Sequence, residues 1–161
     1  MFTELFGLPA HALIVHAAVV FIPLAALAAI VYALVPRLRR HMWWAAAALA
    51  VVAPLSGWAA VLSGDKYKEY WLAHGAAGEF LDQINAHQDL AYPTAWQTTL
   101  LGVVTLVMVF VTFPARAGAT PVRSAVARWI TVVLAVGLAL ASLYFVIRTG
   151  DAGAHAAHPE L

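Results

Sequence analysis

The chain has no cysteine among its 161 residues. That excludes a disulfide framework, a thiolate metal centre, a Cys-ligated cluster and covalent haem attachment through CxxCH. Charge is also scarce: Asp, Glu, Lys and Arg make up 11% of the residues, hydrophobic types 63%, and mean hydropathy is +0.83. Soluble domains carry about 25% charged residues, so this is the composition of an integral membrane protein whose first partner is the lipid bilayer. Catalytic signatures are missing too. There is no HExxH, no GxSxG and no glycine-rich phosphate loop, which removes the sequence support for zincin, serine-hydrolase and nucleotide-phosphate chemistry. The few bases are used by membrane topology, and nucleic-acid binding has no support. With three methionines and no thiol, any metal must be held mainly by nitrogen or oxygen.

What the chain does have is four long apolar runs. The first, about Ala10 to Val35, carries no charge and exceeds the roughly 20 residues that a membrane-crossing helix needs. Pro9 sits just before it, where a helix start tolerates proline, and Pro23 inside it predicts a mild kink. The preceding MFTELFG holds Glu4 and no Lys or Arg, and the apolar run is too long for a leader, so it reads as a span and not as a cleaved signal. The second span covers about Met42 to Leu62, with Trp43 and Trp44 as interfacial anchors, a flexible point at Pro54 to Gly57, and Ser63 and Gly64 ending it.

A polar segment, Asp65 to Tyr92, follows. Within it GEFLDQINAHQDL, residues 78–90, places Phe80, Leu81, Ile84 and Leu90 at helical spacing, which predicts a short amphipathic helix against the bundle or the headgroups. The third span, about Thr94 to Phe113, is introduced by Tyr92, Pro93 and Trp96. The fourth covers about Trp129 to Ile147, before the tail TGDAGAHAAHPEL. Pairs of small residues four apart, Ala25 with Ala29 and Gly137 with Ala141, would let helix backbones approach closely. The expected fold is all-α: a single four-span domain over residues 1–161, packed as a four-helix membrane bundle.

The signs of charge are sorted. Arg37, Arg39 and Arg40 lie between spans one and two, and Arg116, Arg123 and Arg128 between spans three and four, with no acid in either connection. Every Asp and Glu falls in the amino terminus, the long polar segment or the tail. Bases in short loops mark the cytoplasmic side. Both termini and the long segment are therefore expected outside the cytoplasm, and the location expected is a bacterial inner membrane.

Six of the seven histidines, His11, His16, His74, His87, His155 and His158, then gather on the outward face, and only His41 lies among the arginines. Imidazole is the commonest metal ligand and changes charge between about pH 5 and 8. His16 lies five residues, about 7.5 Å along a helix, deeper than His11, and an embedded imidazole must find a partner or a cofactor. Its alternative to ligation is a hydrogen bond to another helix, at Gln97 or Thr98. Five residues of helix set the two rings about 140° apart, so they face different neighbours. His87 shares a helical stripe with Glu79 and Gln83. His155 and His158, at i and i+3, could share an ion if the tail is helical, although its Ala/Gly-rich composition favours fraying. His74 reads as an interfacial residue. No Asp, Glu, Lys or Arg lies mid-span, which argues against a transport route through one protomer.

The stretch LPAHALIVHAAVVFIPLA, with Ser56-Gly57-Trp58, His87 and the glycine-rich Gly150 to Ala154, resembles a bacterial membrane-protein family, domain of unknown function 2231, whose opening pattern is close to LPxHPLLVHFPIxL. The similarity covers nearly the whole chain. It maps the family's paired histidines onto His11 and His16 and a third onto His87. This chain departs at Ala12, where the family usually has proline, and at Ala17, where an aromatic is common. The family's histidines suggest haem or metal binding.

These readings lead to a small membrane protein holding a histidine-ligated cofactor near the outer face for electron transfer, b-type haem being the first candidate. His16 and His87 are the expected ligand pair, with His11 as a propionate or outer contact. One alternative is a zinc, copper or iron site built from His11, His74, His87, His155 or His158 with a loop carboxylate. Another is a non-catalytic accessory subunit of a larger membrane complex. A membrane redox partner or a second copy of the chain is the expected protein partner.

Overall fold

The computed structural model describes residues 4–5, 8–112 and 125–157. A two-residue antiparallel pairing of β1 (Glu4–Leu5) with β2 (Leu8–Pro9) precedes four helices: α1 (Ala10–Leu34), α2 (Arg39–Ala73), α3 (Glu79–Thr112) and α4 (Ala125–Ala157). Each helix packs against the next, α4 closes the ring against α1, and α1 meets α3 only narrowly across the diagonal. All four helices are long and apolar enough to cross a membrane. The protein is a multi-pass, all-α membrane bundle.

The interior is built from small side chains and the exterior from large ones. Ala26, Ala29, Ala53, Ala135 and Ala139 are fully buried, while Leu55, Phe110, Val133 and Ile147 point outward, each more than 60% exposed. Water would punish that arrangement, but lipid does not. Helices in a bilayer gain by close backbone approach, since their apolar side chains are as well solvated by acyl chains as by one another. Gly102 shows how close the approach becomes. A Cβ there would collide with the carbonyl oxygen of Ala50 on α2, the acceptor that Pro54, lacking an N–H, leaves without its usual helical donor. The same small-residue logic fails for Gly137, which is exposed with nothing near it. The buried face of α4 instead runs through Val132, Ala135, Ala139, Ser142 and Val146.

The turns explain where the helices stop. Pro36 ends α1, and a 3₁₀ turn over Pro36–Leu38 leads into α2. Arg39 folds back to donate from Nε to the Tyr32 carbonyl at 2.8 Å and from Nη2 to the Ala33 carbonyl at 2.9 Å, meeting two of the acceptors that a helix end leaves open. Ser63 and Gly64, expected to end α2, lie inside it. The helix closes eleven residues later, where Gly75 takes φ +85°, its N–H bonds the Leu72 carbonyl and the Ala76 N–H bonds the Trp71 carbonyl. That pair of bonds is the Schellman closure, which a glycine at this position makes possible.

The segment expected as a separate amphipathic helix is helical but continuous with the third span. Pro93 sits within α3 on its exposed side, where the lost backbone bond faces outward. At 35 and 34 residues, α2 and α3 are each about 50 Å long at 1.5 Å per residue, well beyond the roughly 30 Å hydrocarbon layer. Their polar halves project together past the start of α1. The tail, expected to fray, stays helical to Ala157. His158, Phe113, Arg116 and Arg123 lie outside the described residues.

Candidate functional site

Where α1 begins, two imidazoles from diagonally opposed helices meet. The rings of His11 on α1 and His87 on α3 have centroids 6.4 Å apart with planes at 70°, and both side chains are half-buried. Each ring lies against a glycine of the following helix. A Cβ on Gly64 of α2 would stand 3.1 Å from His11 Cε1, and one on Gly153 of α4 would stand 2.9 Å from His87 Cε1. A side chain at Gly153 would force the His87 ring to shift, and one at Gly64 would require His11 to give by a few tenths of an ångström.

The hydrogen bonds fix which ring nitrogen carries the proton. His87 Nδ1 lies 2.9 Å from the carbonyl oxygen of Thr149. A carbonyl only accepts, so Nδ1–H is the donor and Nε2 keeps its lone pair. His11 Nδ1 lies 2.9 Å from Ser63 Oγ, whose own hydrogen goes to the Ala60 carbonyl at 3.0 Å. Ser63 therefore accepts from His11 Nδ1–H, and again Nε2 is left with its lone pair. Two neighbouring imidazoles of the same tautomer result, each held at the back by a neighbouring helix.

The surroundings stiffen the pair. Tyr67 stacks on His11 at 5.9 Å and packs edge-on with Trp71, which in turn meets Phe80 of α3. Asp65 accepts from Gln88 Nε2 and from the Tyr92 hydroxyl, both at 2.7 Å, tying α2 to α3. Below His87, the hydroxyls of Thr94 and Thr149 lie 2.7 Å apart, tying α3 to α4. Gln83, one turn before His87, keeps Oε1 buried with no hydrogen-bond partner. An acceptor left so costs on the order of 1–3 kcal/mol, which a bound group or water would relieve.

The other expected site residues lie elsewhere. His16, expected opposite His87, is exposed and bonded through Nδ1 to the Ala12 carbonyl of its own helix; neither Gln97 nor Thr98 receives it. His87 is paired instead with His11, which was expected to be the outer contact. His74 is exposed and packs on Tyr70. His155 is bonded to its own helix at Asp151. Among the described residues no three of His, Asp and Glu converge as a metal-binding group, so the multi-histidine ion site is not assembled there.

A seven-residue register in the sequence singles out the observed pair. His11 continues through Ala18, Ala25 and Tyr32, and His87 through Thr94, Leu101 and Met108, all buried. Gly64 follows Ala50 and Gly57 on α2, and Gly153 follows Val132, Ala139 and Val146 on α4. Such repeats mark the inward seam of packed helices, and His16 lies off it. Polarity alone hides this seam, because inner and outer faces are equally apolar.

A family model described as Predicted membrane protein (DUF2231) matches residues 7–159. No curated protein and no solved structure matches the chain.

Proposed function

The chain belongs to this family of predicted membrane proteins, whose description names no activity, and from the imidazole geometry we propose that His11 and His87 are the paired ligands of a bound cofactor serving electron transfer. The observation that carries the reading is the pair of hydrogen bonds at Nδ1 of the two rings. Metal-ligating histidines almost always donate their second ring N–H to a carbonyl, carboxylate or similar partner, and both rings here do so through Nδ1. The two ring centroids lie 6.4 Å apart, close enough that His11 and His87 would both reach one bound group.

Haem b fits this donor set better than a bare zinc, copper or iron ion. A porphyrin brings four nitrogens of its own and would leave the protein to supply only one or two ligands. A closed structural ion site needs about four protein ligands, and the described residues offer a pair. His11 and His87 would hold the iron, Gly64 and Gly153 keep the rings seated, and Tyr67 limits rotation of His11. When bound, the haem supplies one-electron chemistry.

Charge sorting supports placing this end outside the cytoplasm of a bacterial inner membrane. The test is a visible spectrum of the detergent-purified protein, oxidised and then reduced, with elemental analysis alongside. The expected result is a Soret band and a sharp reduced α-band, lost in His11→Ala and His87→Ala but kept in His16→Ala. A metal without those bands would favour the ion reading. A colourless, metal-free protein that purifies only with other subunits would favour an accessory role.

A further inference from the structure

At the end of the bundle remote from the histidines, Pro36, Arg37, Arg39, Arg40 and Thr112 line a cleft of about 510 Å³. Its electrostatics are one-sided: no Asp or Glu occurs between Glu4 and Asp65, or in residues 90–112. Arg39 is held in place by the Tyr32 and Ala33 carbonyls and lies over the Tyr32 ring. Thr112 is fixed as well, receiving the Tyr32 hydroxyl at 2.8 Å and donating to the Met108 carbonyl. Arg37 and Arg40 remain. Both are exposed, and among the described residues neither makes a hydrogen bond or ion pair.

Three guanidinium groups around one cleft repel one another unless an anion lies between them, and the guanidinium fork suits phosphate oxygens. Membrane charge bias alone requires only that bases lie on one side; it does not require a cleft with one base already immobilised. The neighbouring surface is apolar, with Leu34 54%, Leu38 40% and Trp44 62% exposed. A free anion has no use for that surface, whereas acyl chains do.

We propose that this cleft binds the phosphate headgroup of an anionic phospholipid, with Arg37 and Arg40 on the phosphate and the acyl chains along Leu34 and Leu38. The experiment titrates short-chain phosphatidylglycerol, matched phosphatidylcholine or inorganic phosphate into the full chain in neutral detergent at fixed ionic strength, reading thermal stability. Saturable stabilisation by phosphatidylglycerol is expected, none by phosphatidylcholine, with phosphate requiring at least tenfold higher concentration. The double variant Arg37→Gln, Arg40→Gln should weaken phosphatidylglycerol binding at least tenfold, while Lys66→Gln at the other end leaves it unchanged. Equal response to both lipids, or a double variant that binds as the parent does, would overturn the proposal. Phosphate acting as well as the lipid would assign the cleft to a free anion instead. Native mass spectrometry of the unmutated protein gives a second readout free of any folding defect: phosphatidylglycerol should be retained over phosphatidylcholine, and indifference counts against the site.

Discussion

At the scale of single residues, the position of the histidine pair depends on groups behind the rings. Ser63 is the acceptor that holds His11 Nδ1, so under the proposed cofactor reading Ser63→Ala is expected to lower haem affinity about 10–100-fold, the usual effect of losing an outer partner of a ligating histidine, with helix content unchanged. Titrating the cofactor into apo-protein and following the Soret band checks this. Gly153→Ala should act on the same readout through shape, since the new methyl would crowd the His87 ring; the same change at Gly150, which has nothing within 4 Å, should leave the titration unaltered. The sequence made histidine the residue type to watch, and helical geometry separated His11 from His16. It did not make clear which of them faces inward. Embedding depth favoured His16, but depth matters less than register, and the register is written in alanines and glycines that polarity does not distinguish from the lipid face.

At the scale of elements, close contact between helices sets the sensitivity to substitution. Gly102→Ala must push α2 and α3 apart at the Ala50 carbonyl, a case of overpacking that costs about 1–3 kcal/mol. Gly137→Ala on the outer face of α4 meets nothing and should be neutral, or stabilising by up to about 1 kcal/mol through helix propensity. Melting the two variants in the same detergent compares them directly, and equal melting temperatures would remove Gly102 as a contact point. The extents of α2 and α3 were the least legible part of the fold. Asp65, Lys66, Lys68 and Glu69 look like loop residues when a span is sought. A helix leaving the bilayer, however, has no reason to stop until a residue such as Gly75 supplies the closing geometry.

For the whole molecule, the four spans and their bundling were legible because apolar length and charge sorting survive every local uncertainty. The membrane orientation is open to a clean measurement, since the chain has no cysteine of its own. A single cysteine at exposed Glu69 or Asp151 should react with an impermeant maleimide on intact cells, and one at Arg37 only after permeabilisation; the reverse pattern would put the histidine pair on the cytoplasmic side. The contacts that seat the two rings also divide the bundle. His11 is secured wholly within the α1–α2 hairpin, through Ser63, Gly64 and Tyr67, and His87 is hydrogen-bonded and cushioned within α3–α4, through Thr149 and Gly153. Each half of the bundle therefore carries one imidazole with the groups that hold it, and the spacing of the rings is set by how α2 packs on α3, at the contacts of Asp65 with Gln88 and Tyr92 and of Gly102 with Ala50.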